Sequence, residues 1–258
     1  LMHFAGYIKV EESVKNPKKY FDNNTNNAIS LFKTCKKNKL NKIVFSSTAA
    51  AYGSTNKNTF INESAALDPQ NPYAESKIET EKYLLQNKND FSFIILRYFN
   101  VAGADIKLRS GQISKESTHL IKILSEVIVG KRNSIEIYGN DYNTLDGTAI
   151  RDYIHVSDLA DIHIKVAENL IFNSKSNLFN CGYGRGFSVL DVINAANKLS
   201  TNSINYTFSK RRDGDVEKLI ADTKKIKDYL KWEPKHDDLE KIIKSSIDWE
   251  RKIYETNS

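Results

Sequence analysis

The sequence predicts an α/β fold in which helices cover a parallel sheet. Short apolar runs typical of buried parallel strands occur at 42–47 and 91–100. Stretches with helical periodicity, at 10–40 and from Tyr73 onward, alternate with these runs. The chain has 258 residues, 40% of them hydrophobic and 27% charged, which is enough for a substantial core.

In the first half of the chain, each element is predicted from a short local pattern. An apolar stretch at 1–6 runs into a small-residue turn and is expected to be the end of a strand. The strand at 42–47 ends in small hydroxyl residues, and the helix that follows begins near Tyr73. The run at 91–100 is predicted to be the next buried strand.

The second half is expected to open with a polar loop over 101–117, a candidate domain edge. The remaining predicted elements are a helix at 119–130 stopped by Gly130, a short strand at 134–139, a turn at 139–148, a helix at 188–199 with Ser188 as N-cap, and an amphipathic closing helix at 236–254.

The composition excludes several classes of protein. No run approaches the roughly 18 apolar residues of a membrane span. The net charge of +6 comes from lysine runs such as 33–42, which favour a solvated helix face over a nucleic-acid patch because no aromatic residues interleave them. The positive field also suits an anionic small substrate. Two scattered cysteines, Cys35 and Cys181, favour a reducing cytoplasm and show no metal-ligand spacing.

One pair of side chains indicates chemistry. Tyr73 and Lys77 are four residues apart and share a helix face, and Thr48 ends the preceding strand at the edge where open α/β sheets bind ligands. A phenol has a pKa near 10, so it acts as a base at neutral pH only if a cation stabilises its phenolate. The three residues therefore predict a site that deprotonates a hydroxyl group. The alternative is an ordinary surface Tyr–Lys pair.

Six segments occur in the order found in one enzyme family: "HFAG", "SSTAAAYG", "PYAESK", "LRYFNVAGA", "GNDYNTLDGTAIRDYIHVSDLAD" and "RRDGD". With them the chain resembles the UDP-glucose 4-epimerases, which are extended short-chain dehydrogenase/reductase enzymes, from His3 to the closing helix. This resemblance implies an α/β fold with an incomplete doubly wound parallel (Rossmann-like) sheet and a smaller α/β substrate-binding domain. The implied NAD-binding part is 1–104 with a return segment at about 151–183, and the implied UDP-sugar domain is 105–150 with 184–258.

The resemblance also implies a reaction: NAD-dependent epimerisation at C4 of a UDP-hexose through a transient 4-keto sugar. Tyr73 would be the acid/base on the sugar 4-hydroxyl, Thr48 would assist it, and Lys77 would hold the nicotinamide ribose and lower the tyrosine pKa. The residues expected along the cofactor are Phe4, Ala5, Gly6, Asn23, Ser46, Tyr73 and Lys77. The residues expected around the UDP-sugar are Thr48, Asn100, His119, Leu120, Tyr138, Arg151, Arg212, Asp215 and Leu219.

The arginines are chemically suited to the role that the resemblance implies, because guanidinium forks bind a diphosphate well. Asp215 would suit ribose hydroxyls as an acceptor. The neighbouring Arg211 is also expected to contact ligand rather than to form a solvated pair. Asp152, His155 and Asp158 are expected to support the structure rather than to catalyse.

Two features of the sequence bear on the reaction and on the sugar that the chain accepts. Sugar-nucleotide dehydratases carry an acidic pair after the threonine, whereas Thr48 is followed by Ala49 and Ala50, which cannot transfer a proton. That favours epimerisation over dehydration. Leu219 occupies the position that the resemblance assigns to gating the sugar 2-substituent, and its modest size leaves N-acetylated sugars open. Ile8 stands where relatives have a lysine near the cofactor.

The chain contains no G-x-G-x-x-G, the turn with which the family holds the cofactor pyrophosphate. It is expected to start at the family's fourth strand, with roughly 60–80 residues absent. Two alternatives stay open: an epimerase whose N-terminal part comes from a longer product or a separate fragment, and an inactive fragment that retains at most UDP-sugar binding. The resemblance further implies a homodimer through helices around 15–40 and 73–87.

Overall fold

The computed structural model describes residues 1–53, 60–114 and 116–257, so residue 115 of the predicted 101–117 loop and residue 258 of the predicted second domain lie outside the described residues. The chain divides into two compact units. Unit 1 comprises Leu1–Phe99, Ile162–Cys181 and Asp222–Trp232, and unit 2 comprises Asn100–Asp161, Gly182–Ala221 and Glu233–Ser258. What each unit binds stays a prediction.

The described elements, in chain order, are as follows. The strands are β1 (Met2–His3), β2 (Lys42–Thr48), β3 (Ser92–Tyr98), β4 (Asn100–Ala102), β5 (Ile135–Tyr138), β6 (Ile150–Arg151), β7 (Tyr153–His155), β8 (Asn177–Cys181), β9 (Phe187–Ser188), β10 (Tyr206–Ser209) and β11 (Lys218–Leu219). The helices are α1 (Val10–Lys15), α2 (Pro17–Tyr20), α3 (Ala28–Lys37), α4 (Pro72–Gln86), α5 (Leu120–Ile128), α6 (Val156–Asn173), α7 (Val189–Asn197), α8 (Lys224–Leu230) and α9 (Leu239–Asn257). None of these described helices is both long and apolar enough to cross a membrane.

The core of unit 1 is a four-stranded parallel sheet. Its strand order is β1-β2-β3-β8, and every neighbouring pair is parallel. Phe45 of β2 stands opposite Ile95 of β3, and both are fully buried together with Phe32 of α3. The predicted parallel sheet with covering helices is therefore confirmed.

The predicted helical region at 10–40 is divided in the structure. Helix α1 ends before Asn16, and α2 starts at Pro17, because the residue before a proline is disfavoured in helical conformation. A π-helical segment, Phe21–Asn27, then joins α2 to α3. This wide turn carries Asn23 and Asn24, two residues that matter for the site below.

Unit 2 is built from short strands and helices. Its strands pair as β10-β5, as β11-β6-β9 and as β4-β7. Helix α7 begins as predicted at Ser188, whose side chain accepts a hydrogen bond from the Asp191 amide while the Asp191 carboxylate accepts one from the Ser188 amide. The predicted strand at 91–100 is two strands, because the chain changes partners after Tyr98: the Asn100 amide donates to Asp152 O (2.9 Å).

Candidate active site

The carboxyl end of β2 presents a row of buried hydroxyl groups, as predicted. The Ser46 hydroxyl accepts a hydrogen bond from the Tyr98 hydroxyl (2.6 Å), and the Ser47 hydroxyl donates to the Glu81 carboxylate. The Thr48 hydroxyl accepts from the Ala50 amide (3.2 Å) and so begins the short 3₁₀ turn that follows the strand. Local hydrogen bonds thus fix the position of each hydroxyl.

Helix α4 carries the tyrosine and the lysine at the start of its buried face. Asn71 caps the helix by accepting from the Ala74 amide (3.0 Å), and Pro72 occupies the first turn, where its missing N–H costs nothing. Tyr73 and Lys77 follow one turn apart. The cap fixes the first residue of the helix and therefore the position of Tyr73 relative to the strand ends of unit 1.

The phenol of Tyr73 is in contact with Thr48. Burial raises the pKa of Tyr73, and the hydrogen bond with the Thr48 hydroxyl partly offsets that rise. The effect that opposes burial comes here from Thr48 and not from the predicted influence of Lys77 on the pKa. The phenol is protonated at neutral pH in this state, so it is set up as a proton donor.

Lys77 is a buried ammonium group that uses one donor among the residues that the structure describes. Its Nζ donates to Ser46 O (3.0 Å) and lies 5.1 Å from the centre of the Phe45 ring. Burial lowers the pKa of Lys77 to about 8, against the opposing charge of Glu81. An ammonium has three N–H donors, and the hydrogen bond to Ser46 uses one of them.

The turn after β1 passes close to this ammonium. A Cβ on Gly6 would lie 3.1 Å from Lys77 Nζ and 3.1 Å from Asn24 Oδ1, so a side chain there would crowd both groups. The Asn24 side chain is fully buried and fastens the turn: its Oδ1 accepts from the Tyr7 amide (2.8 Å), and its Nδ2 donates to Tyr7 O (3.0 Å). Gly6 thus keeps a side chain away from the ammonium, and the donors of an ammonium group suit the hydroxyl oxygens of a ribose.

Three other predicted cofactor residues lie around the same turn. Phe4 is 60% exposed, with its ring 4.9 Å from that of His163, and Ala5 is also exposed. Asn23 is half-buried, and its Nδ2 donates to Asn24 Oδ1 (3.0 Å). Sequence reasoning missed Asn24, whose only local signal is its place beside Asn23 in a polar run.

Unit 2 brings five of the predicted nucleotide residues together. The Arg212 Nε donates to Asp215 Oδ2 (2.9 Å), and an Arg151 nitrogen lies 3.9 Å from Asp215 Oδ1. The Arg212 guanidinium lies 4.7 Å from the centre of the Tyr138 ring. Leu219 stands opposite Arg151 in the β11–β6 register and is 8% exposed. We call Arg151, Arg212 and Asp215 the arginine cluster.

The remaining predicted nucleotide residues lie on two other elements of unit 2. Asn100 opens β4 and is exposed, while His119 precedes α5 and Leu120 is its first residue. Their roles stay predictions. Sequence reasoning missed Tyr142, whose buried hydroxyl lies near the arginine cluster. Its only signal in the sequence is its position in a turn-rich segment.

The acidic residues of the 152–158 segment hold the backbone of unit 2. Asp152 is fully buried and accepts hydrogen bonds from the amides of Tyr183 (2.9 Å), Gly184 (2.9 Å) and Ala221 (3.1 Å). Burial nevertheless raises the pKa of Asp152 to about 6. Asp158 accepts from the Tyr183 hydroxyl (2.6 Å) and from backbone amides. These contacts support a structural role.

Comparisons with known proteins identify the family of the chain. The family model of the NAD dependent epimerase/dehydratase family matches residues 1–182. A UDP-glucose 4-epimerase of Azospirillum brasilense is 46% identical over 98% of this chain and 73% of its own length. Another, of Lacticaseibacillus casei, is 44% identical over 96% of this chain and 76% of its own length.

Solved structures show the same likeness. The UDP-glucose 4-epimerase of Stenotrophomonas maltophila, crystallised with NAD and formylated UDP-arabinopyranose, superposes with a TM-score of 0.94 at 31% identity, covering 99% of this chain and 76% of that one. The UDP-Glc/GlcNAc 4-epimerase of Campylobacter jejuni gives a TM-score of 0.80 at 45% identity, covering 97% of this chain and 77% of that one. The chain therefore belongs to the NAD-dependent epimerase/dehydratase family.

Proposed function

We propose that this chain catalyses the NAD-dependent epimerisation of a UDP-hexose at C4, interconverting UDP-glucose and UDP-galactose through a transient 4-keto sugar. The observation that carries the proposal is the contact of the Tyr73 phenol with Thr48, on a helix that also buries the Lys77 ammonium. An acid/base phenol and a cation thus lie one helical turn apart at the ligand edge of a parallel sheet. Relatives that share up to 46% of its residues are UDP-glucose 4-epimerases.

The residues of unit 1 move the proton. Tyr73 exchanges a proton between its phenol oxygen and the sugar O4, and the Thr48 hydroxyl holds the reacting oxygen through a hydrogen bond. Lys77 would favour the phenolate form that accepts the O4 proton once ligand is bound, since without ligand it is Thr48 that opposes the effect of burial on the Tyr73 pKa. NAD, when bound, supplies the reversible acceptance of hydride at C4.

Lys77 and the Gly6 turn would hold the nicotinamide ribose. The ammonium has N–H donors to spare after its bond to Ser46, and Gly6 keeps the adjacent space free of a side chain. Phe4, Ala5 and Asn23 would lie along the cofactor on the same side of unit 1.

The residues of unit 2 would bind the UDP part of the substrate. Arg151 and Arg212 offer guanidinium forks to the diphosphate, and Asp215 would accept hydrogen bonds from ribose hydroxyls once the ligand is present. Asn100, His119, Leu120 and Tyr138 complete the proposed set. None of these contacts requires a proton transfer, so this unit contributes binding energy rather than chemistry.

Elimination of water is a poorer fit for the site. Thr48 is followed by Ala49 and Ala50, whose methyl groups cannot act as the acid and base that a dehydratase needs. The site therefore supports an oxidation and reduction at C4 without loss of a hydroxyl.

A second substrate class has its own support. Leu219 stands opposite Arg151, where the proposal places the UDP-sugar, and leucine is less bulky than tyrosine. The Campylobacter jejuni relative, at 45% identity, is a UDP-Glc/GlcNAc 4-epimerase. We propose UDP-N-acetylhexosamine as the alternative substrate, to be tested by comparing turnover of UDP-GlcNAc and UDP-glucose.

We also propose a compartment and an oligomeric state for the chain. Both cysteines are buried free thiols, which supports a reducing cytoplasm as the compartment. The resemblance implies a homodimer through the helices around 15–40 and 73–87, and we include that homodimer in the proposal. Light scattering of the purified chain would give its mass directly.

The test of the proposed function is turnover by the purified chain. With NAD and UDP-galactose we expect UDP-glucose to form, and we expect Tyr73→Phe to slow its formation by about 10²-fold to 10⁴-fold. Tyr254→Phe, which removes a hydroxyl from an exposed residue of α9, is the matched control and should keep full activity. Binding of UDP-galactose without turnover would identify the protein as a UDP-sugar-binding protein and would overturn the proposed reaction.

A further inference from the structure

Tyr142 is a buried tyrosine whose hydroxyl group lacks a partner among the described residues. The side chain is 4% exposed, and its oxygen forms no hydrogen bond in the part of the chain that the structure describes. A buried polar group without a partner costs free energy, and native proteins retain few of them. The hydroxyl therefore requires an explanation.

The surroundings of this hydroxyl contain more arginine than carboxylate groups. The Arg211 guanidinium lies 4.0 Å from the centre of the Tyr142 ring. The phenol also interacts electrostatically with Arg151, Arg212 and Asp215, the three residues of the arginine cluster. Arg211 is itself paired with Asp141 (2.7 Å), so three guanidinium groups and two carboxylates leave a net charge of one positive unit near an uncharged phenol, which is suitable for an anion.

The backbone of the turn fixes the tyrosine in this place. The Tyr142 amide donates to Gly147 O (3.0 Å), and a Cβ on Gly147 would lie 2.3 Å from Asn140 O. Gly139 has a φ of +86°, and a Cβ there would lie 2.5 Å from the Tyr142 ring. The ring is thus packed against a turn that only glycines permit, and the hydroxyl has little freedom to find another partner.

None of these charged neighbours accepts the phenol proton in the part of the chain that the structure describes. Guanidinium groups only donate hydrogen bonds. The Asp215 carboxylate already accepts from Arg212 (2.9 Å). Burial raises the pKa of Tyr142, so the proton stays on the oxygen and is available to donate.

We propose that Tyr142 is a further substrate-binding residue, whose hydroxyl donates a hydrogen bond to a diphosphate oxygen of the UDP-sugar. This inference rests on the proposed function, because it takes the arginine cluster as the site that binds UDP. A phosphate oxygen supplies the missing acceptor and at the same time neutralises the guanidinium groups around the phenol. Tyr142 then contributes to affinity for the nucleotide diphosphate and takes no part in the chemistry at C4.

The test compares Tyr142→Phe with the unchanged chain by calorimetric titration of UDP and of uridine, together with thermal unfolding without ligand. The variant loses only the hydroxyl. We expect its dissociation constant for UDP to rise about 10-fold to 100-fold, the effect of one hydrogen bond to a charged group. Its affinity for uridine, which has no phosphate, should stay unchanged, and its Tm should stay level or rise because an unpaired buried hydroxyl is gone.

Tyr183→Phe is the matched control. Tyr183 is another buried tyrosine of unit 2, but its hydroxyl donates to Asp158 (2.6 Å) and accepts from the His155 amide (3.1 Å). We expect this variant to have a lower Tm and an unchanged affinity for UDP. Opposite effects of the same chemical change would separate a binding hydroxyl from a structural one.

Three results would overturn the inference. If Tyr142→Phe binds UDP as tightly as the unchanged chain, the hydroxyl does not contact the ligand, and the proposed function is untouched. If the variant has a lower Tm and loses affinity for uridine and UDP equally, the hydroxyl is structural. If the unchanged chain fails to bind UDP, the proposed function falls and this inference falls with it.

Discussion

Tyr73 is the residue on which the proposed reaction depends. Its phenol is the group that contacts Thr48, and its pKa is raised by burial, so it holds a proton that it can pass to a sugar oxygen. Replacing Tyr73 by phenylalanine should lower kcat by about 10²-fold to 10⁴-fold, the usual contribution of a positioned acid/base. Steady-state kinetics would show this loss, and calorimetry should show UDP affinity within two-fold of the unchanged chain. A loss of less than ten-fold would contradict the assigned role.

Lys77 shows the cost of placing an ammonium group in the core. Burial lowers its pKa from the ordinary 10.5 to about 8, so the native state binds fewer protons than the unfolded state between these pH values. Stability therefore rises with pH across this window, and at pH 7 the full penalty of burying the charge is present.

Lys77→Met should accordingly raise the free energy of unfolding at pH 7 by about 1–3 kcal/mol and abolish turnover. The gain should shrink between pH 8 and pH 10.5, as the lysine of the unchanged chain becomes neutral in the folded state. Urea unfolding at several pH values measures both effects, and Lys210→Met at an exposed position is the control, expected within about 0.5 kcal/mol. A lower stability of Lys77→Met at pH 7 would show that the ammonium stabilises the fold.

At the scale of single elements, helix α7 is held at its start by a capping box. The Ser188 side chain accepts from the Asp191 amide (2.9 Å) and also bonds to the Asp146 carboxylate. Ser188→Ala should lower the free energy of unfolding by about 1–2 kcal/mol. Urea unfolding would measure this, with Ser30→Ala on the exposed side of α3 as the control. Equal stability of the two variants would show that the cap contributes nothing.

The hydrogen bonds that Asp152 accepts connect separate backbone segments of unit 2, and their contribution to stability can be measured. Its carboxylate accepts three backbone amides, and an asparagine would turn an N–H₂ group toward at least one of them. Asp152→Asn should lower the free energy of unfolding by about 2–4 kcal/mol, since buried donors would be left unpaired. Asp228→Asn, at an exposed position of α8, should change it by less than about 0.5 kcal/mol. Chemical denaturation distinguishes the two outcomes.

The elements were predictable where their signals are local. Ser188 as N-cap, the strand ending at Thr48 and the helix face of Tyr73 and Lys77 all follow from spacing within a few residues. The interruption at Asn16 and the partner change after Tyr98 were not anticipated, because the first depends on one proline within a periodic pattern and the second on hydrogen bonds to distant segments.

At the scale of the whole molecule, the predicted sheet and its covering helices are confirmed, and family membership rests on matches along nearly the whole chain. Asn24 and Tyr142 escaped prediction because their meaning lies in contacts with residues far along the chain. Asn24 reaches Ser76, and Tyr142 lies under Arg211. Spacing carries no information about such contacts, so a single sequence cannot reveal them.

The most direct test of the central claim follows the hydrogen at C4 during turnover. The purified chain would be given NAD and UDP-galactose carrying deuterium at C4, in ordinary water, and the product would be analysed by mass spectrometry and NMR. Because the proposed reaction removes this hydrogen as hydride and returns the same one to the other face, the UDP-glucose formed should keep the deuterium at C4. Replacement of the deuterium by solvent hydrogen, or recovery of unconverted UDP-galactose alone, would contradict the claim that this site epimerises the sugar by transient oxidation.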